Sequence, residues 1–264
     1  MAKAKAVDNL GGGNHLLTLE VPGAPFSALG RFARLRAWPA RGLGPGTLLD
    51  RPFSIHLTGP RELSFFIRQV GPATSLLASL SPGTPVRFIG PLGRGLDDLD
   101  PNFAAKSWYL VAGGAGLGPM PSIMAALGPR AKLFYGERSH KTQPDTGYLA
   151  DLELYAPKAE LVTATEDGSG YGQKGLVTVP LTECLKVQPR PIVACGPTPM
   201  LAALARLANQ YSVPYFACVE ARMACGLGVC LSCSLPKLDG TNFRVCREGP
   251  MVDGLAIDWD NVHT

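Results

Sequence analysis

The stretch Trp108-Tyr-Leu-Val-Ala-Gly113-Gly-Ala-Gly-Leu-Gly-Pro119-Met-Pro-Ser-Ile-Met-Ala-Ala-Leu127 decides the fold of this chain. From Tyr109 to Gly128 it carries no charge, which meets the length criterion for a membrane-spanning helix. Gly113, Gly114, Gly116, Gly118, Pro119 and Pro121 would break such a helix at its centre. The run therefore reads as a buried strand, Trp108 to Ala112, a glycine loop and a helix around Met120 to Leu127. Glycines there let the backbone approach a pyrophosphate, and the helix start adds N–H donors. Pro119 suits a first helical turn. It also takes the third-glycine place of a strict G-x-G-x-x-G pattern, so an ordinary strand–helix turn stays open as a reading.

Working outward, Lys132 to Tyr135, Glu160 to Thr163 and Pro191 to Cys195 are further short apolar strands. Met200, Leu201, Leu204, Leu207 and Ala208 share one face of a helix. Alternating strands and helices predict a parallel sheet with crossover helices. Upstream the texture changes. His15 to Val21, Phe32 to Trp38, Arg51 to Leu57, Leu63 to Val70 and Pro85 to Ile89 are short strands cut by Gly and Pro, with a short helix from Thr74 to Leu80. That spacing predicts an antiparallel barrel. The expected chain is multidomain α+β: a β-barrel over 1–103, an α/β parallel-sheet domain over 104–216 and a small segment over 217–264. A length of 264 residues accommodates this.

The small segment contains Met223-Ala-Cys225-Gly-Leu-Gly-Val-Cys230-Leu-Ser-Cys233, and a fourth cysteine follows at Cys246. The spacing C-x4-C-x2-C is that of a plant-type [2Fe–2S] loop. Gly226 and Gly228 suit such a loop, which needs positive φ and backbone N–H groups close to sulfur. Twelve residues separate Cys233 from Cys246, a short final gap, and a segment this small should depend on its cluster and its neighbours. In the barrel, Arg51-Pro52-Phe53-Ser54 joins an arginine to a stiffened strand and a hydroxyl, a set able to hold a flavin diphosphate. Gly71-Pro-Ala73-Thr74 opens the barrel's helix and offers a second place for phosphate oxygens.

Composition narrows the classes. Hydrophobic residues at 46% and charged residues at 17% describe a well-packed globular protein. A net charge of +4 is too weak to argue for nucleic acid, and Arg31, Arg34, Arg36 and Arg41 read as a solvated strand face. No targeting segment or membrane span is expected, and the location expected is cytoplasmic. Seven cysteines do not make a secreted disulfide framework; Cys184 and Cys218 read as small buried hydrophobes. His15, His56, His140 and His263 lie outside the motifs and read as structural or solvated, so no catalytic acid–base pair is expected.

Taken together, Arg51-Pro-Phe-Ser54, the Gly71 helix start, Gly113-Gly-Ala-Gly-Leu-Gly-Pro119 and Cys195-Gly196-Pro197 resemble the ferredoxin–NADP reductase superfamily. Glu220 to Cys233 and Val245-Cys-Arg-Glu-Gly-Pro250 narrow the resemblance to electron-transfer subunits of class 1B dihydroorotate dehydrogenase, over nearly the whole chain. It implies an FAD barrel, an NAD-binding domain and a [2Fe–2S] segment held by Cys225, Cys230, Cys233 and Cys246. Carried over by motif, Arg51, Pro52, Phe53, Ser54, the strand Phe66-Ile67-Arg68 and Ala73-Thr74 would contact FAD. Family members carry Gly-Thr at that last pair and an aromatic before the strand arginine; Ala73 and Ile67 depart from this and would alter the fit. Gly113, Gly114, Gly116 and Gly118 would serve NAD, with Cys195, Gly196 and Pro197 bordering the nicotinamide. Glu166 and Asp167 stand where NADP-using relatives place Ser and Arg for the 2′-phosphate, which points to NAD.

The chemistry implied is a relay in pyrimidine biosynthesis. Dihydroorotate reduces the FMN of a separate catalytic subunit, single electrons cross the [2Fe–2S] cluster to FAD, and a hydride passes to NAD+. An obligate complex, a heterotetramer with two copies of each subunit, is expected by analogy. Three alternatives stay open: the flavin subunit of another NAD(P)H-linked oxidoreductase, such as a ferredoxin-linked transhydrogenase or sulfide dehydrogenase; a non-redox module whose cysteines hold zinc; and a flavoprotein that senses redox state without turnover.

Overall fold

The computed structural model describes residues 1–23, 27–37, 49–170 and 172–262. The expected strand end at Trp38 and Pro39, Arg41 and His263 lie outside the described residues. The first unit is a closed antiparallel barrel of β1 (Ala2–Asn9), β2 (Asn14–Glu20), β3 (Phe32–Ala37), β4 (Arg51–Thr58), β5 (Glu62–Arg68) and β6 (Pro85–Leu92), in the order β1-β2-β5-β4-β3-β6. Closure leaves no unpaired edge. Its interior is filled by Leu17, Leu19, Ala33, Leu35, Ile55, Leu63, Phe65, Ile67 and Val86. Helix α1 (Pro72–Ala78) plugs one side through Leu77.

Two strands differ from the sequence reading. β1 is a sixth strand, written in the alternation Ala2-Lys-Ala4-Lys; alanine makes a weak apolar signal, yet Ala2 and Ala4 are buried. β6 runs past Ile89 to Leu92, because its pairing with β3 continues to Phe32↔Leu92.

After the short helix α2 (Leu96–Leu99), a seven-stranded sheet forms from β7 (Trp108–Gly113), β8 (Ala131–Glu137), β9 (Glu160–Thr165), β10 (Gln173–Lys174), β11 (Ile192–Cys195), β12 (Tyr215–Cys218) and β15 (Met251–Asp253). The order is β10-β9-β8-β7-β11-β12-β15, parallel except for β15. Helices α3 (Met120–Leu127), α4 (Thr146–Tyr155), α5 (Thr178–Val187) and α6 (Thr198–Gln210) provide the crossovers. The α4 and α5 helices escaped the sequence reading. Each buries a short apolar face, Tyr148, Leu149 and Leu152 in one and Leu181 and Leu185 in the other.

The C-terminal segment adds the hairpin β13 (Ser234–Pro236) and β14 (Asn242–Arg244) and the turn helix α7 (Val245–Glu248). It shares the sheet of the preceding unit through β15, and Cys233, Leu235, Phe243, Val245 and Cys246 lie in one core with Ile192, Ala194 and Leu204. Its other flank meets the end of the barrel unit, where Arg94 N donates to Gly249 O and Arg94 bridges Pro250. No described helix is long and apolar enough to cross a membrane.

Candidate functional site

The glycine loop leaves β7 and the Cys195-Gly196-Pro197 turn leaves β11, its parallel neighbour, with Ala112 opposite Cys195. Both emerge at the carboxyl ends of the strands, where nucleotides bind in such sheets. They touch directly. A Cβ on Gly116 would collide with the carbonyl of Cys195, and one on Gly113 would meet Met200 Sδ at 2.8 Å and Pro197 Cδ at 2.9 Å. Gly114 takes φ +56°, a conformation suited to glycine. Gly118 faces the barrel, with its Cβ direction 3.7 Å from Ser54 Cβ and 3.8 Å from Phe66 Cβ. The glycine loop and the Arg51–Ser54 strand are thus immediate neighbours.

His56 fastens that contact. It is fully buried, with Nδ1 2.8 Å from Gly118 O and Nε2 3.0 Å from the Tyr148 hydroxyl. The pairing sets the tautomer: Nδ1–H donates to the carbonyl and Nε2 accepts from tyrosine. Burial lowers its pKa to about 4, so the ring is neutral at pH 7.

Arg51 and Ala73 line one recess between β4 and α1, together with Arg36 and Leu76. Arg36 there also faces Asp50, at 3.4 Å. Thr74 is occupied locally: its hydroxyl accepts from Val70 N and Gly71 N and donates to Gly71 O. Phe66 is buried near His56 and Tyr148, and Ile67 points into the barrel core. Arg68 turns away from the recess to pair with Glu137 on β8. Its Nε donates to Asn14 Oδ1 at 2.9 Å and its Nη2 to Thr142 O at 3.0 Å. Glu137 and Asn14 carried no recognisable motif, and only their tertiary placement exposes this clamp.

Cys195 is buried and its thiol bonds to that of Cys218 on the adjacent strand; this contact and burial push its pKa well up, so it stays a neutral thiol. Glu166 and Asp167 follow β9 on the surface. Asp167 accepts from Ser169 N at 2.9 Å and Ser169 Oγ at 2.5 Å, bonds that lower its pKa and tie it to its own turn. Glu166 is the carboxylate left facing outward at the end of β9.

The four cysteines come together in two pairs. Cys233 and Cys246 are buried, with sulfurs 3.3 Å apart, while Cys225 and Cys230 lie side by side at the surface. Backbone N–H groups converge on the sulfurs: Leu227 N at 3.3 Å and Cys230 N at 3.5 Å on Cys225, and Gly228 N at 3.1 Å on Cys246. These bonds hold the Cys225 thiol down to about 6, favouring thiolate. Burial, then Cys233, raises Cys246 to about 11 in the absence of a positive ion. Among the described residues no three potential ligands converge on a single ion. Two dithiol pairs with N–H donors to sulfur fit a two-iron cluster, two thiolates per iron, better than one tetrahedral ion. Gly226 and Gly228 take φ +66° and +80° to make the wrap.

The arginines of β3 correct the sequence reading. Ala33, Leu35 and Ala37 do point into the barrel, but the opposite face is covered rather than solvated. Arg34 is 6% exposed and donates to the carbonyls of Cys225 and Ala224, the latter at 2.7 Å. Arg36 lies beside buried Asp50, and Arg31 is paired with Asp97 and Asp98.

Barrel, glycine loop and parallel sheet define a protein of ferredoxin-reductase fold. An NADH-dependent reduced ferredoxin-NADP oxidoreductase superposes with a TM-score of 0.78 at 21% identity, covering 98% of this chain and 90% of that one. The ferredoxin reductase of carbazole 1,9a-dioxygenase gives 0.66 at 24% identity, covering 81% and 65%. Residues 220–258 match the iron-sulfur cluster binding domain of dihydroorotate dehydrogenase B. The electron transfer subunit of dihydroorotate dehydrogenase B (NAD(+)) from Clostridium acetobutylicum is 32% identical over 96% of this chain and 95% of its own length. The one from Bacillus caldolyticus is 35% identical over 77% and 78%. The chain belongs to the family of dihydroorotate dehydrogenase B electron transfer subunits.

Proposed function

We propose that this chain carries electrons between a dihydroorotate-oxidising subunit and NAD+, through a [2Fe–2S] cluster and FAD. The observation that carries this reading is the pair of dithiols beneath converging N–H groups, joined through Arg34 to β3, the strand paired with the one that bears Arg51–Ser54. When bound, FAD supplies the conversion between one-electron and two-electron transfer. Residues 1–103 would hold FAD, 104–216 NAD and 217–264 the cluster.

Each element has a task in this scheme. Arg51 and the helix start at Ala73 and Thr74 would receive the FAD diphosphate, with Pro52, Phe53, Ser54 and Phe66 along the flavin. The glycine loop from Gly113 to Gly118 and the Cys195-Gly196-Pro197 turn would hold the nicotinamide nucleotide, and Glu166 would disfavour a 2′-phosphate. The neutral thiol of Cys195 acts there as packing. Around exposed Cys230, the side chains of Leu227, Val229 and Leu231 stand out into solvent, an apolar rim suited to docking an FMN-bearing catalytic subunit. Two copies of each chain would complete the complex.

The visible spectrum of anaerobically purified protein, before and after NADH, tests this first. Flavin bands and the broad red absorbance of a [2Fe–2S] centre, both bleached by NADH, are expected. Adding the catalytic subunit should then let dihydroorotate bleach the same bands. Flavin without the red absorbance, or a colourless zinc-loaded protein, would reject the scheme.

A further inference from the structure

Arg34 connects the two redox sites through one side chain. On β3 it stands opposite Pro52 of the flavin-strand motif. Its guanidinium crosses to the first turn of the cysteine loop, bonding Cys225 O and Ala224 O. Gly226 leaves open the space that the Arg34 side chain fills. Because Arg34 bonds the main chain of a cluster ligand, bond lengths place its charge within roughly 5–7 Å of that ligand's sulfur.

Asp50, itself buried, faces three guanidiniums: Arg36 at 3.4 Å, Arg87 at 3.5 Å and Arg34 at 3.6 Å. Arg34 Nε has no hydrogen-bond partner in the structure. Asp50 is thus shared among three cations, and its contact with Arg34 is the longest of the three. A four-thiolate cluster beside the Cys225 turn would set negative charge next to Arg34. Two ferric ions, two sulfides and four thiolates sum to a dianion, and one added electron makes a trianion. A fixed cation beside it stabilises the reduced form more than the oxidised one, and cluster potentials respond to such charges and hydrogen bonds.

We propose that Arg34 is a positioning residue that pins the Cys225 turn to β3, the neighbour of the Arg51–Ser54 strand, and raises the reduction potential of the cluster. This rests on the reading of Cys225, Cys230, Cys233 and Cys246 as cluster ligands.

The test is a potentiometric titration of the full-length, anaerobically purified protein, with the reduced cluster followed by electron paramagnetic resonance. Arg34→Gln should lower the midpoint by about 59 mV or more, a tenfold shift of the oxidised-to-reduced ratio at fixed potential. Asp50→Asn removes the counter-charge without touching the bonds from Arg34 to the loop, and should raise the midpoint. Arg34→Lys keeps the charge and should stay nearer the wild type than Arg34→Gln. A purely structural role would not move the midpoint in opposite directions. Either shift missing from a variant that holds its cluster overturns the proposal; if Arg34→Gln holds none, Asp50→Asn alone decides. A wild-type protein with no cluster signal would instead defeat the cluster reading itself.

Discussion

Arg68 on barrel strand β5 and Glu137 at the end of sheet strand β8 form an ion pair across the boundary between the two large units, with side chains 19% and 4% exposed. Glu137 also accepts from Tyr135 OH at 2.7 Å and Thr142 Oγ1 at 2.9 Å, and Arg68 donates to Asn14. Burial and the neighbouring carboxylate push Tyr135 far above its ordinary pKa, so it keeps the proton it donates to Glu137. The clamp sits beside Gly114, whose Cβ direction is 2.9 Å from Arg68 Nη1. It ties strand β5 to the end of β8 beside the glycine loop.

Removing the cation strands a buried carboxylate. Arg68→Met should therefore cost about 3–5 kcal/mol. Glu137→Gln, which keeps acceptors for Tyr135 and Thr142, should cost less. Denaturant midpoints of both variants check this, and equal losses would show that the pair is not the stabilising element.

His56 makes stability depend on pH. Its folded pKa of about 4 lies below the ordinary 6.5, so between those values the unfolded chain binds a proton that the folded chain refuses. Stability from this group is complete above pH 6.5 and declines on acidification toward pH 4, by about 1.4 kcal/mol per unit of pKa separation. Urea unfolding at pH 7 and pH 5 should show the decline in wild type and a shallower one in His56→Gln. Equal slopes would remove His56 as the cause.

Two glycines of one loop should respond unequally to alanine. A Cβ at Gly116 runs into the Cys195 carbonyl, so Gly116→Ala should destabilise by about 1–3 kcal/mol and weaken NADH binding. Gly118 is in a right-handed helical conformation, and its Cβ would come no nearer than 3.3 Å to the Ala115 carbonyl oxygen. Gly118→Ala should change stability by less than about 1 kcal/mol. Thermal unfolding and NADH titration of the pair decide it.

Nucleotide preference should reside in Glu166 more than Asp167, since Asp167 is tied to Ser169. Wild type should bind NADH at least about tenfold more tightly than NADPH, a difference of about 1.4 kcal/mol. Glu166→Ser should narrow that gap, whereas Asp167→Asn should disturb the turn and leave the ratio nearer wild type. Kd values for the two nucleotides within twofold in wild type would remove the premise.

The sequence by itself determined the two large units, the glycine loop with its helix at Met120–Leu127, and the identity of the four clustered cysteines. These are local signals: apolar runs of set length, glycines between a strand and a helix, thiols at fixed spacing. Tertiary structure decided what no local pattern contains. The alternation that puts Leu35 inside the barrel also puts Arg34 outside, but whether outside means water depends on a loop 191 positions away. The same holds for Arg68, expected by resemblance to contact FAD and found paired with Glu137 from another unit. It holds too for β15, which completes a sheet begun more than a hundred residues earlier. Charged side chains and edge strands take their partners from whatever surface folding brings to them, and that surface is a property of the assembled chain.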